Sequence, residues 1–448
     1  MAKDRLTEKW EEVYKSKLMT AEQAVQLVPD GADTCTSITN SMPPSIINAL
    51  IRRMASGDLK NASYIHSLEV RLLDLFNPEL LEKASKHNSL EVMYCGLISR
   101  NYAADGRLSY VPHRLNDGPY MSVIRNLKAC FITVSPMDQH GFVSMGISPD
   151  YAYGMIRHNP GCLIIAEVNK NMPRTFGNNH FHITELAAVV ENDLPLVQPP
   201  DIPISDKDRT IGKYIADLVP DGACLQVGIG AIPNAVSGFI ADKKDLGVHT
   251  EMICDSLLDL YEAGAITGAK KQHMPRKWVA CFAVGSQRLY DFIAENPMIE
   301  MHSSDFVNDP AIIGLNDNVV SINATLQVDL SGQCASESIG PRQYSGAGGQ
   351  MDFVEGARRS KGGKPIIALY STYTDKAGKE HSSINPMLTL GSYVTTTRND
   401  VQYLVSEYGV AFLKAANMRE RAERIINIAH PDFRDDLLKE AKKMNLIK

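Results

Sequence analysis

The sequence predicts an α/β protein of two tandem, internally duplicated α/β domains, residues 1–200 and 201–448, and three observations carry that reading. A chain of 448 residues is longer than one hydrophobic core usually serves. Short, near-continuous apolar runs alternate with helix-compatible stretches, the pattern of strands buried on both faces of a sheet. Finally, Leu27-Val28-Pro29-Asp30-Gly31-Ala32 recurs as Leu218-Val219-Pro220-Asp221-Gly222-Ala223. At the same offset Asp138-Gln139-His140-Gly141 matches Asp329-Leu330-Ser331-Gly332 as D-x-x-G, each after an apolar run. Two matches at one offset point to an ancient duplication into halves of similar plan.

Taken in order, residues 4–26 read as helical, with a second start at Thr20 and Gln23 three positions on, a capping-box spacing. A helix is expected over Met42 to Ala55, and strands over Ala129 to Val134 and Cys162 to Val168. The stretch from Leu194 to Pro203 holds too many prolines for a central strand or helix interior, so the domain boundary is placed there. Cys224-Leu225-Gln226-Val227 then reads as a strand, Gly228 to Pro233 as a tight turn and Asn234 to Ala241 as a helix. Pro233 suits a first helical turn, where its missing N–H would be unpaired anyway. A strand over Leu246 to His249 delivers Thr250-Glu251-Met252. Strands over Trp278 to Val284 and Pro365 to Tyr370 follow, then a helix over Asp400 to Tyr408 and two amphipathic helices, Asn417 to Ala429 and Phe433 to Asn445, broken at Pro431.

Composition narrows the class. A hydrophobic fraction of 44% with 22% charged residues describes a globular enzyme, and a net charge of −6 argues against a nucleic-acid coat. The eight cysteines are widely spaced, without a C-x-x-C pair, and read as reduced, buried residues. The N-terminal residues hold no apolar leader and no run approaches a membrane span, so the expectation is a soluble, cytoplasmic protein with no membrane or nucleic-acid partner.

The chemistry concentrates around Glu251. A helix start reached through Gly228 and Gly230 offers backbone N–H groups to an anion or a developing oxyanion, and a carboxylate follows the next strand closely. That pairing suggests acyl chemistry. A second glycine-rich loop, Ser345 to Phe353, permits close approach of backbone to a ligand, although a tight turn beside a strand would use the same glycines. Arg358, Arg359, Lys361 and Lys364 form a basic cluster able to meet phosphates or simply to solvate a helix end. His180 and His182 lack companion ligands at metal spacing and read as structural, so no metal is expected. Gly228-x-Gly230-x-x-Pro233 lacks the third glycine of a dinucleotide fingerprint. Gly348-Gly349-Gln350 echoes the tripeptide of peptide-release factors, but without a basic nucleic-acid domain.

Together, Gly228-Ile229-Gly230-Ala231-Ile232-Pro233-Asn234-Ala235-Val236 and Gly247-Val248-His249-Thr250-Glu251-Met252 resemble the family I CoA-transferases of the acetyl-CoA hydrolase/transferase superfamily. More narrowly, the pattern is similar to the butyryl-CoA:acetate and 4-hydroxybutyrate CoA-transferases. Asn171-Met172-Pro173-Arg174-Thr175, Ser321-Ile322-Asn323, Asp329 to Gln333, the Gly346 to Phe353 loop, Val394 to Arg398 and Glu407 to Ala411 extend the match over nearly the whole chain. Ser406 departs from the Thr that the family usually carries before Glu-Tyr-Gly.

The resemblance implies two α/β domains of the CoA-transferase (NagB-like) type, with Glu251 as nucleophile. It implies acyl-CoA and short-chain carboxylates as substrates, coenzyme A as a transient covalent thioester, no tightly bound cofactor, and a homodimer or homotetramer. By the same carry-over Gln226, Val227, Gly228, Ile229, Gly230, Leu326, Gly346, Gly348, Gly349 and Lys376 are candidate contacts for coenzyme A. An acyl-CoA hydrolase using the same glutamate is the alternative, and a catalytically silent CoA-binding regulator is the third reading.

Overall fold

The computed structural model describes residues 5–200 and 202–448; Asp4, in the first expected helix, and Asp201, opening the second expected domain, lie outside them. The chain divides into two compact units, one of Met1–Pro199 with Val279–Val307, the other of Pro200–Trp278 with Asn308–Lys448. The first division falls in the proline-rich stretch. Val279–Val307 departs from a contiguous split, because it packs into the first unit although the sequence reading placed it in the second.

The first unit is built on a parallel sheet of β1 (Asp33–Thr36), β2 (Ser63–His66), β3 (Ser89–Val92), β4 (Ser109–Tyr110), β5 (Ala129–Val134), β6 (Leu163–Val168) and β7 (Leu186–Glu191). Their order is β4-β3-β2-β1-β5-β6-β7. Every residue of β5 is buried, which is why its apolar run shows no alternation. Helix α1 (Arg5–Lys17) is followed at Thr20 by the expected capping box, with Gln23 N–H donating to Oγ1 at 3.2 Å and Thr20 N–H to Gln23 Oε1 at 3.0 Å. Helix α2 (Pro44–Ser56) buries Ile46, Ile47, Leu50, Ile51 and Met54 on one face, against Tyr64 and Phe131 in a common core.

The second unit carries β8 (Cys224–Gln226), β9 (Gly247–Val248), β10 (Val319–Ala324), β11 (Lys364–Ala368), β12 (Tyr403–Ser406) and β13 (Gly409–Phe412) in the order β9-β8-β10-β11-β12-β13. All neighbours are parallel except β12 and β13. The helices that concern the site are α3 (Ala231–Phe239), α4 (Gln350–Arg359), α5 (Met418–Asn427) and α6 (Pro431–Lys443). Val328, Val354, Ile367, Leu404 and Ile425 lie in its core.

The duplication is visible in hydrogen bonds. Gly31 and Gly222, each at φ 73°, occupy the left-handed region just before β1 and β8. Asp30 Oδ1 accepts from Lys60 N–H at 2.9 Å, and Asp221 Oδ1 from Lys244 N–H at 2.8 Å, pinning the approach to β2 and β9. In the second repeat Asp138 Oδ1 accepts from the N–H groups of His140 and Phe142, as Asp329 Oδ1 does from Ser331 and Gln333. The strand order β2-β1-β5-β6-β7 of one unit matches β9-β8-β10-β11-β12 of the other.

Two expectations need correction. Asp400 to Tyr408 is not a helix but contains β12, whose Leu404, Val405 and Ser406 are buried, and Gly409 at φ 137° turns the chain into β13. Tyr403-Leu404-Val405 carries strand propensity that the helical reading overlooked. Trp278 to Val284 is not one strand: it breaks at Cys281 into Trp278–Ala280 and Phe282–Ala283, and neither joins the seven-stranded or the six-stranded sheet.

Candidate active site

In the second unit five parallel strands end on one edge, and the order turns back between β8 and β10. An open α/β sheet leaves its ligand crevice at such a point. Gln226 to Gly230 leaves β8 here. The Gln226 side chain is fixed by Asn323, whose Nδ2 donates to Oε1 at 3.2 Å. Ile229 stands half exposed between two glycines, and a Cβ added at Gly228 would meet nothing within 4 Å, so the turn faces open room. Gly230 caps α3 at φ 137°, a conformation unfavourable to any side chain, and its carbonyl accepts the Asn234 N–H at 3.1 Å.

Beyond β9 the chain stays in register, with His249 N–H donating to the Leu225 carbonyl at 3.1 Å. The buried Thr250 hydroxyl lies 3.2 Å from the Val227 carbonyl and 3.1 Å from that of Met252, tying this segment to the glycine turn. Glu251 comes next. Its Oε2 accepts from Asn308 Nδ2 at 3.1 Å, and the Gly349 N–H also donates to the carboxylate. Gly349 caps α4, so the carboxylate sits at the positive end of a helix. A Cβ at Gly349 would lie 2.0 Å from Glu251 Oε2 and 2.1 Å from Asn308 Nδ2, so only glycine allows this approach. Asn308 Nδ2 lies 3.4 Å from Asp352 Oδ2 as well, and both residues are fully buried. Burial pushes the Glu251 carboxyl above its ordinary value, while the Asn308 amide and Gly349 N–H pull it back. The outcome is a partly desolvated carboxylate held by two donors, an arrangement that can present an oxygen nucleophile.

The structure thus brings Glu251 and Gly349 together, with Gly346 and Gly348 in the loop entering α4. Leu326 lies just past β10 on the same edge, its N–H donating to the Ala335 carbonyl at 3.2 Å. Lys376 is exposed at the tip of the hairpin formed by Thr372–Thr374 and Glu380–Ser382. Sequence reasoning missed Asn308 and Asp352. Asp352 lay within the quoted glycine loop, but nothing marked its side chain as inward-facing. Of the basic cluster, Arg358 pairs with Asp400, Arg359 with Glu355, and Lys364 Nζ donates to the Leu218 carbonyl at 2.6 Å. Among the described residues no group of three or more His, Cys, Asp or Glu could hold a metal, all eight cysteines are free and buried, and no helix is long and apolar enough to cross a membrane.

Residues 1–198 match the acetyl-CoA hydrolase/transferase N-terminal domain and residues 285–441 its C-terminal domain. The chain is 43% identical to the 4-hydroxybutyrate coenzyme A transferase of Clostridium kluyveri over 97% of its own length and 99% of that protein's. It is 39% identical to the butyryl-CoA:acetate CoA-transferase of Anaerostipes caccae over 98% of each chain. The crystal structure of RipA from Yersinia pestis superposes with a TM-score of 0.89 at 39% identity, covering 98% of this chain and 100% of that one. With both family domains matched in order and relatives aligned over nearly its full length, this chain belongs to the acetyl-CoA hydrolase/transferase family.

Proposed function

We propose that the protein is an acyl-CoA:carboxylate CoA-transferase that moves coenzyme A between short-chain carboxylic acids, butyrate or 4-hydroxybutyrate with acetate, through Glu251. The observation that carries this reading is the Glu251 carboxylate set at the helix α4 N-terminus between the Asn308 amide and the Gly349 N–H. The named relatives, transferases over their full length, support it.

In the proposed cycle a Glu251 oxygen attacks the thioester carbonyl, the C–S bond breaks, and an acyl-glutamyl anhydride and CoA thiolate form. The thiolate then attacks the glutamyl carbonyl and expels the first carboxylate, leaving a glutamyl-CoA thioester. A second carboxylate reverses both steps and departs as the new acyl-CoA. One thioester replaces another, so no external energy source is required. In the second attack negative charge gathers on a Glu251 oxygen, where Asn308 and Gly349 already direct donors. One such donor is typically worth about 100- to 1000-fold in rate. The Val227 to Gly230 turn is the proposed donor set for the first oxyanion. Gln226, Leu326, Gly346, Gly348 and Lys376 are proposed contacts for coenzyme A, which is substrate rather than resident cofactor.

The test is a panel of acyl-CoA donors with and without acetate, following acyl exchange by chromatography and free thiol by colorimetry. Butyryl-CoA or 4-hydroxybutyryl-CoA with acetate should yield acetyl-CoA, little free thiol and ping-pong kinetics. Rapid thiol release indifferent to acetate would assign a hydrolase, and saturable CoA binding with neither product a silent regulator.

A further inference from the structure

A cleft of about 450 Å³ opens in the second unit, lined by Arg358, Arg398, Lys414, Asn417 and Arg421 among others. Strand directions place it away from Glu251. Arg398 precedes β12, Lys414 follows the antiparallel β13, and Arg358 lies near the far end of α4 from Gly349, a separation of about 14 Å along that helix at the usual rise per residue. Four cations line this cleft, and no carboxylate does among the described residues.

Arg358 is neutralised by Asp400. The others are not. Arg421 is only 8% exposed, yet its guanidinium donates to three carbonyls, Ser331 at 2.7 Å, Leu413 at 2.9 Å and Arg398 at 2.8 Å, which carry no formal charge. Asp329, whose charge reaches Arg421, turns its oxygens to the Ser331 and Gln333 N–H groups and the Gln333 amide. Gly332 makes room for the guanidinium, since a Cβ there would stand 2.5 Å from Nη2. Arg398 and Lys414 form no ion pair among the described residues. Asn417 caps α5 at the same cleft, in a capping box where the Glu420 carboxylate already accepts the Asn417 N–H at 2.8 Å.

Only Arg421 is withdrawn from water, which is costly without a paired carboxylate, whereas Arg398 and Lys414 are exposed, and the like charges of the three repel one another. An anion in the cleft relieves both costs. The exposed Arg398 guanidinium and Lys414 ammonium can meet tetrahedral phosphate oxygens, with Arg421 adding its buried charge. The volume exceeds one phosphate and falls within the range of small-molecule sites. We propose that this cleft binds a phosphate-bearing small molecule at a site separate from the catalytic edge.

Inorganic pyrophosphate is the probe, titrated calorimetrically into the full chain at ionic strength held constant with sodium chloride, with saturating CoA present to occupy the catalytic edge. Saturable binding is expected, weakened at least tenfold in Arg398→Gln/Lys414→Gln, a variant that should keep its circular dichroism spectrum and its transfer rate. Citrate at matched charge should bind more weakly. The proposal is overturned by absence of saturable binding, by displacement with CoA, by unchanged affinity in the double variant, or by citrate binding as tightly.

Discussion

Gly349 and Asn308 fix where the Glu251 carboxylate points, and a single carbon at position 349 would evict it. Gly349→Ala should therefore lower the transfer rate about 100-fold, the usual cost of an ångström-scale misplacement, while the folded circular dichroism spectrum persists. Undiminished turnover would remove Gly349 from the site. The pH dependence follows from the same contacts. Attack requires the anion, and burial raises the Glu251 carboxyl, so activity should fall on acidification at a higher pH than an ordinary glutamate dictates. Asn308 opposes that rise, so Asn308→Ala should move the acid limb of kcat/KM further upward. A limb that stays put or moves down contradicts the assigned hydrogen bond. Glu251 and its glycines were legible because strand, turn and motif mark them locally. Asn308 was not, because it reaches Glu251 from 57 positions away and a lone asparagine carries no periodic signal.

At the scale of elements, β9 is held by a buried lysine. Lys271 Nζ donates to the Val248 carbonyl at 2.8 Å and to the Lys277 carbonyl at 2.6 Å. Its side chain crosses Gly247, where a Cβ would lie 2.4 Å from Lys271 Cγ. Burial brings the ammonium down to about 8. In the unfolded chain a lysine titrates near 10.4, so between about pH 8 and 10 the unfolded state binds more protons than the folded one. This group's contribution to stability is fully present above the unfolded value and is lost as pH falls through the folded value. The unfolding free energy of the native protein, measured against Lys271→Met by denaturant titration, should rise across that window; a flat difference contradicts the buried-lysine assignment. Element type was legible where runs were long and near-continuously apolar, as in β5 and β6, or where a cap spelled itself out, as at Thr20. It failed at Tyr403 to Ser406, a short run flanked by polar residues, and at Cys281, where a continuous apolar run conceals a change of pairing.

Across the whole molecule, the duplication was legible because Asp30 and Asp221 pin the approaches to β2 and β9 respectively, so the hexapeptide could not drift without releasing that contact. The placement of Val279–Val307 in the first unit was not, since buried residues such as Val279, Phe282 and Leu289 suit either core. The proposed function rests on one chemical claim, that Glu251 carries coenzyme A covalently between two carboxylic acids. Mixing the intact protein with acyl-CoA and no acceptor should trap the thioester, because a bound thiolate recaptures the anhydride at high effective molarity before water enters. Intact-mass spectrometry should show a gain equal to CoA less one water, mapped by digestion to the peptide holding Thr250-Glu251-Met252, and Glu251→Ala should show neither adduct nor turnover. An adduct that persists on that peptide in Glu251→Ala, or full turnover without any adduct in the native protein, would contradict the account.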